Sequence, residues 1–313
     1  MGALFGPASL NRGSRDMKPF RTRLSDSALP LLLDGATGTE LTRRGIDTSL
    51  PLWSAAALRD APEVVRQIHA DYVTAGAEVV IANTFRTHGR SLVAAGLADQ
   101  AAQWTALAVE LARDAAQGRA YVAGSQAPLE DCYEPQRTPP EDALAAEHAA
   151  MADHLAAAGV DLILVETQPT IREAVAAATA AIATGLPVLV SFVCGSDGRL
   201  FSGETVADAV AAVRPLSPDA ILVNCCPAPQ VGRLLQTLAA AAPEIPRGAY
   251  ANIGEMDPVQ GWRTTGAEAP QQYADWARQW LSAGAQLIGG CCGTTPEHIR
   301  RLRNLLDAAA ESA

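Results

Sequence analysis

From residue 30 onward the chain alternates two kinds of stretch. Short apolar runs occupy Leu31 to Leu33, Val79 to Ala82, Tyr121 to Ala123, Asp161 to Val165, Val188 to Val193, Ala220 to Val223, Gly248 to Asn252 and Gln286 to Gly289. Longer stretches between them carry apolar residues at helical spacing, as Val64, Ile68 and Tyr72 do. The pattern predicts helices over 62–77, 99–117, 141–158, 171–184, 205–213, 230–241, 270–283 and 296–309. Short strands without polar alternation belong in a parallel sheet covered on both faces. Eight such units predict a single-domain (β/α)8 TIM barrel over residues 29–313. The rival is an open, doubly wound sheet. Against it, the corner Gly35-Ala-Thr-Gly38 lacks the glycine spacing of a dinucleotide site.

Residues 1–28 read differently. The first 15 contain no acid, and Arg12, Arg15, Lys18, Arg21 and Arg23 are spread through the segment. It is expected to be a disordered leader, with a transit peptide or a true start at Met17 as alternatives.

Composition narrows the function. A formal net charge of −10 argues against a nucleic-acid partner. No apolar run approaches the ~18 residues of a membrane span. Lys18 is the sole lysine, so the folded body has no amine for Schiff-base chemistry. The six cysteines are Cys132, Cys194, Cys225, Cys226, Cys291 and Cys292. Two adjacent pairs are poor disulfide partners, and a reduced, cytoplasmic chain fits them better.

In a barrel, chemistry gathers where strands end. The longer excursions, 35–61, 85–98, 126–140, 194–204 and 253–268, fall there. So do Asp34, Asn83, Ser125, Glu166, Asn224, Asn252 and Glu255, together with the paired cysteines. His88 is the only histidine near such a point, which leaves no obvious imidazole base. Gly289-Gly-Cys-Cys-Gly293 is the most informative stretch. Both of its thiols can reach one ion only if the strand has already broken, and the glycines permit that. Strands six and eight are next-nearest neighbours, about 9–10 Å apart. Inward-leaning side chains close that gap to the ~3.8 Å of sulfurs sharing a tetrahedral zinc with bonds of about 2.3 Å. Cys225 is expected to complete the set, with Cys226 packed behind it. Three ligands leave one position open, which is the catalytic pattern. Cys132 and Cys194 are expected to be packing residues.

Asp34-Gly-Ala-Thr-Gly-Thr-Glu-Leu41, Glu166-Thr167, Val223-Asn-Cys225 and Gly289-Gly-Cys-Cys-Gly293 resemble the homocysteine S-methyltransferases, from about Leu31 to Leu306. The resemblance implies a (β/α)8 barrel with Zn2+ on Cys225, Cys291 and Cys292. It places Asp34 and Glu166, beside Gly35, at the amino group of homocysteine. Leu52-Trp53-Ser54 and Tyr250-Ala-Asn-Ile-Gly-Glu255 are most similar to the branch that uses S-methylmethionine. Ala251 and Ile253 depart from that branch, which usually carries Pro and Ser there.

The implied reaction transfers methyl from a sulfonium such as S-methylmethionine to homocysteine, giving methionine. Its partners are these small molecules, with neither nucleic acid nor membrane, and the oligomeric state is left open. Coordination to zinc deprotonates a thiol, and a sulfonium leaves as a neutral thioether, so no general acid is required. Asn83, Asn224, Asn252 and Glu255 are candidates for the donor pocket or for orienting ligands. One alternative is a betaine-type donor, which favours aromatic walls; Trp53, Tyr133 and Trp262 are the aromatics the loops offer. Another is a zinc- or thiol-binding barrel without turnover.

Overall fold

Apolar β-formers fill the strands and alanine-rich amphipathic stretches form the helices between them. The computed structural model describes residues 17–26, 29–257 and 261–311. The strands are β1 (Leu31–Leu32), β2 (Val79–Ala82), β3 (Tyr121–Gln126), β4 (Leu162–Gln168), β5 (Val188–Val193), β6 (Ala220–Pro227), β7 (Arg247–Asn252), β8 (Gly254–Asp257), β9 (Gly261–Thr264) and β10 (Leu287–Gly290). Eight of them form one parallel sheet in the order β1-β10-β7-β6-β5-β4-β3-β2. The ring closes between β1 and β2, where Glu78 N–H donates to Leu32 O at 2.8 Å and Asp34 N–H to Val79 O at 3.0 Å. This is the expected (β/α)8 barrel. The antiparallel hairpin β8–β9 interrupts the seventh of the eight units, between β7 and the helix Pro270–Ser282, and the hydrophobic pattern did not predict it.

Alternate residues divide the core into two layers. Leu31, Leu33, Leu162, Leu164, Leu189, Leu222 and Leu287 fill the barrel interior. Their neighbours Ile163, Val165, Ile221 and Val223 pack outward against the helices. The helix Pro62–Ala75 ends two residues earlier than predicted, because Gly76 takes a left-handed φ of 105°.

The segment expected to be disordered is partly folded. Helix Phe20–Leu24 sits at the end of the barrel where strands begin. Phe20 and Leu24, one turn apart, are buried with the interior residues, and Phe20 meets the Tyr121 ring edge-on at 5.3 Å. Arg21 pairs with Asp219 at 2.6 Å and Arg23 with Glu78 at 2.9 Å. The expectation of disorder is therefore corrected for residues 17–26: two apolar side chains at helical spacing find an open end of the interior to plug. Residues 1–16, 27 and 28 lie outside the described residues. No helix among the described residues is long and apolar enough to cross a membrane.

Candidate metal centre and substrate cavity

Strand β6 delivers Cys225 by breaking its own alternation. Ala220 and Leu222 point inward and Ile221 and Val223 outward. Asn224 also faces inward, where its Oδ1 accepts from Ser191 Oγ at 2.7 Å. Strict alternation would turn Cys225 outward and Cys226 inward. Instead Cys225 takes φ 50°, and the register with β7 shifts between Asn224 and Pro227. This bulge reverses the two thiols. Cys225 lines the cavity, and Cys226 is fully buried in the layer between sheet and helices. Strand β4 does the same at the same level. Thr167 has φ 59°, the register with β5 shifts between Val165 and Gln168, and both Glu166 and Thr167 line the cavity. Asn224 ties the two bulges together, donating from Nδ2 to Thr167 Oγ1 at 2.8 Å and accepting from Thr167 N–H at 3.0 Å.

The second corner follows β10, which ends at Gly290, so Cys291 and Cys292 lie beyond the strand. A Cβ on Gly290 would stand 2.4 Å from Thr294 Oγ1, a distance no side chain tolerates. Gly293 turns the chain with φ 83°. Backbone groups then fix the corner. Cys291 N–H donates to Ala251 O at 2.8 Å, and Cys292 N–H donates to Asn252 Oδ1 at 3.0 Å. Thr294 Oγ1 donates to Cys291 O at 2.7 Å and accepts from Ala36 N–H at 3.2 Å, which joins this corner to the one after β1.

The sulfurs of Cys225, Cys291 and Cys292 all lie within 4.8 Å of one another, and those of Cys225 and Cys291 are 2.8 Å apart. Tetrahedral zinc with bonds of about 2.3 Å spaces its sulfurs about 3.8 Å apart, so three soft donors stand where one such ion would take them. The Cys292 thiol is held well below its ordinary pKa because it accepts hydrogen bonds from Cys225 and Cys291. Cys225 is pushed up by its hydrogen bonds to those two neighbours and by burial. All six cysteines are free. Cys194 lies in the core, whereas Cys132, expected to be packing only, lines the cavity.

The cavity above these thiols has a volume of about 340 Å³. Glu166 stands on its wall, with Oε1 accepting from Ser125 Oγ at 2.5 Å and Oε2 from Tyr250 Oη at 2.9 Å. Burial raises its pKa to about 6, and the two hydroxyls oppose that rise. Asp34 is fully buried, which pushes its carboxyl well above the usual range. Its Oδ2 accepts from Ile81 N–H at 2.9 Å, and its Oδ1 has no partner. Gly35 lines the cavity, while Asp34 lies just behind that lining.

The remaining candidates divide. Asn83 lines the cavity and is locked to Ser54, accepting from its Oγ at 2.7 Å. Asn224 and Asn252 are braces for the two thiol corners and do not line the cavity. Glu255 lies on the β8–β9 hairpin opposite Arg263, away from the lining residues. The side chain of Trp262 lies outside the described residues. His88 caps the helix Gly89–Ala94, and burial lowers its pKa to about 3, so it offers no base at neutral pH. Sequence reading missed Phe85 and Arg86, which line the cavity beside Trp53 and Tyr133. Trp53 and Phe85 meet edge-on at 5.4 Å.

Comparison with known proteins agrees with this geometry. Residues 31–306 match the family model described as homocysteine S-methyltransferase. A homocysteine S-methyltransferase from Escherichia coli K12 is 35% identical over 91% of this chain and 97% of its own length. Homocysteine S-methyltransferase YbgG from Bacillus subtilis is 30% identical over 87% of this chain and 93% of its own. The crystal structure of E. coli homocysteine methyltransferase MmuM in its metallated form superposes with a TM-score of 0.79 at 32% identity, covering 92% of this chain and 99% of that one.

Proposed function

The chain belongs to the homocysteine S-methyltransferase family, and on that premise we propose that it moves a methyl group from S-methylmethionine, or a similar sulfonium, to the thiol of homocysteine. The observation that carries the reading is the convergence of Cys225, Cys291 and Cys292 on one wall of a cavity that also holds Glu166. These three cysteines are the proposed zinc ligands. A zinc ion bound there supplies a Lewis acid that keeps an incoming thiol deprotonated at neutral pH.

The chain's own groups do the rest. Ionised Glu166 receives the α-ammonium of homocysteine by a charge-assisted hydrogen bond, and Ser125 and Tyr250 fix the direction of its oxygens. The partnerless Oδ1 of Asp34 is the second group assigned to that ammonium. Trp53, Phe85 and Tyr133 offer aromatic faces to the onium end of the donor. Holding sulfur and methyl carbon in line is the main task. The new S–CH3 bond forms as the sulfonium C–S bond breaks, and the departing thioether keeps the electron pair. No proton has to be delivered, which suits a cavity with no histidine among its described lining residues. Free thiols fit a reducing compartment, the cytoplasm, and a net charge of −10 fits small-molecule partners and no nucleic acid.

The test is zinc content per chain, measured together with methionine formed from homocysteine across S-methylmethionine, betaine and other onium donors. About one zinc per chain and turnover with a sulfonium are expected. Homocysteine binding without methionine from any donor would make the protein a thiol-binding barrel instead.

A further inference from the structure

Arg86 stands on the cavity wall four residues beyond the last residue of β2. Its Nε is buried and has no hydrogen-bond partner. Its guanidinium carbon lies 5.8 Å from the centroid of the Phe85 ring. Arg90, four residues on, pairs with both Glu130 and Glu147. No ion pair joins Arg86 to any described residue. Asp131, after β3, lines the same cavity. Its Oδ1 accepts only the Tyr133 N–H, at 2.9 Å. The adjacent Glu130 takes Arg90 and Arg137, whereas Asp131 takes no cation among the described residues. Two opposite charges thus line one cavity and pair neither with each other nor with their neighbours.

Keeping a partly buried guanidinium without an anion is costly. Arg86 is the one cation among the described lining residues; the other ionisable groups there are thiols, the phenols of Tyr133 and Tyr250, Glu166 and Asp131. A planar fork of donors matches a carboxylate better than any other small anion carried by an amino acid. We propose that Arg86 and Asp131 together read the zwitterionic head of the methyl donor, Arg86 taking its α-carboxylate and Asp131 its α-ammonium. This rests on the preceding reading that a sulfonium amino acid is the second substrate. It makes Arg86 a specificity residue: the carboxylate is drawn to the one cation among the described lining residues, and the sulfonium end is left free to meet the homocysteine thiol. A betaine-type donor has a carboxylate but no N–H, so it satisfies Arg86 and leaves Asp131 unmatched.

The experiment uses the zinc-loaded full chain, with S-methylmethionine and its carboxamide as donors, at saturating homocysteine. Wild type is expected to prefer the acid over the amide. Arg86→Met should raise the KM for S-methylmethionine about 10–100-fold, the loss of a charged hydrogen bond. It should also abolish the acid-over-amide preference and keep the KM for homocysteine within about twofold. Arg86→Lys should recover part of the loss, because an ammonium lacks the fork. Asp131→Asn should raise the KM for S-methylmethionine but not that for betaine; an unchanged KM would overturn the ammonium half. A rise confined to the homocysteine KM, or an intact acid preference in a folded Arg86→Met protein, would overturn the carboxylate half. Calorimetric titration of acid and amide into wild type and Arg86→Met reads the same preference without turnover. Preferential binding of the acid with no methionine formed would sink the proposed reaction and keep Arg86. Equal binding of acid and amide by wild type would sink Arg86 whatever the turnover.

Discussion

At the end of the barrel where strands begin, Arg21 meets Asp219 at 2.6 Å, Arg23 meets Glu78 at 2.9 Å and Arg113 meets Asp161 at 2.7 Å. At the end where they finish, Asp34 Oδ1 and Arg86 Nε are buried without partners, and Glu166 is held by hydroxyls alone. Both ends are built from the same eight strands. One uses most of its charges in pairs that close the fold, although Arg247 Nε at the start of β7 is also buried without a partner. The other keeps charges unanswered, at a cost in stability, where the proposed substrates would answer them. Substitutions at the closed end should therefore change stability and spare the chemistry, and those at the open end should do the reverse.

The largest effect expected is at the thiols. Cys291→Ala should lower zinc from about one per chain to near zero, and methyl transfer by more than about 1000-fold, since removal of one ligand opens a three-ligand site. Metal analysis and rates check it. Next is Glu166→Gln, with the KM for homocysteine rising about 10–100-fold. Wild-type kcat/KM for homocysteine should fall as pH drops through about 6, where the buried carboxyl takes up its proton, and the variant should lack that limb. The stability effect has the opposite sign. A carboxyl with a raised folded pKa adds its full stability below its unfolded value, and that contribution is lost as pH rises through about 6. Glu166→Gln should thus be at least as stable as wild type at pH 7 in denaturant melts.

Phe20→Ala, at the closed end, should cost about 3 kcal/mol in urea unfolding and leave both KM values unchanged. A shift in either KM would mean that the plug reaches the site and would blur the contrast. Cys226→Ala should keep its zinc and most of its activity, since that thiol is packed among apolar side chains. The smallest effect expected is from Glu78→Gln, which weakens the pairs with Arg23 and Arg303 by about 1 kcal/mol.

The fold was legible because hydrophobic periodicity reports burial, and burial sets which face each strand and helix presents. The thiols after β10 were legible because glycines on both sides announce a broken strand. Cys225 was named correctly as the thiol on the cavity, but nothing in Asn224-Cys225-Cys226 records the left-handed φ that puts it there, nor the tie from Asn224 to Thr167 two strands away. Asn252 and Glu255 were named together because one ends β7 and the other comes three residues later. Only the coordinates separate a brace beneath Cys292 from a hairpin residue outside the cavity. Arg86 did leave a signal. It follows a strand end, and no acidic residue lies within seven positions on either side. The apolar segment Phe20–Leu24 was obscured by the basic residues around it, whose partners, Asp219 and Glu78, are remote in sequence.

The matched bulges at Thr167 and Cys225 carry a consequence for how such a site diversifies. A barrel strand ordinarily offers the mouth every second side chain, so a new function must wait for change at a fixed set of places. A single backbone crank on each of two strands changes that: on one it offers a carboxylate and the adjacent hydroxyl, and on the other it offers a thiol that strict alternation would turn away. Asn224, which braces the two cranks through Thr167, can stay constant while the carboxylate or the thiol beside the brace is exchanged. Loss of one crank would swap which sulfur of the doublet is on display without altering a single letter of the doublet itself.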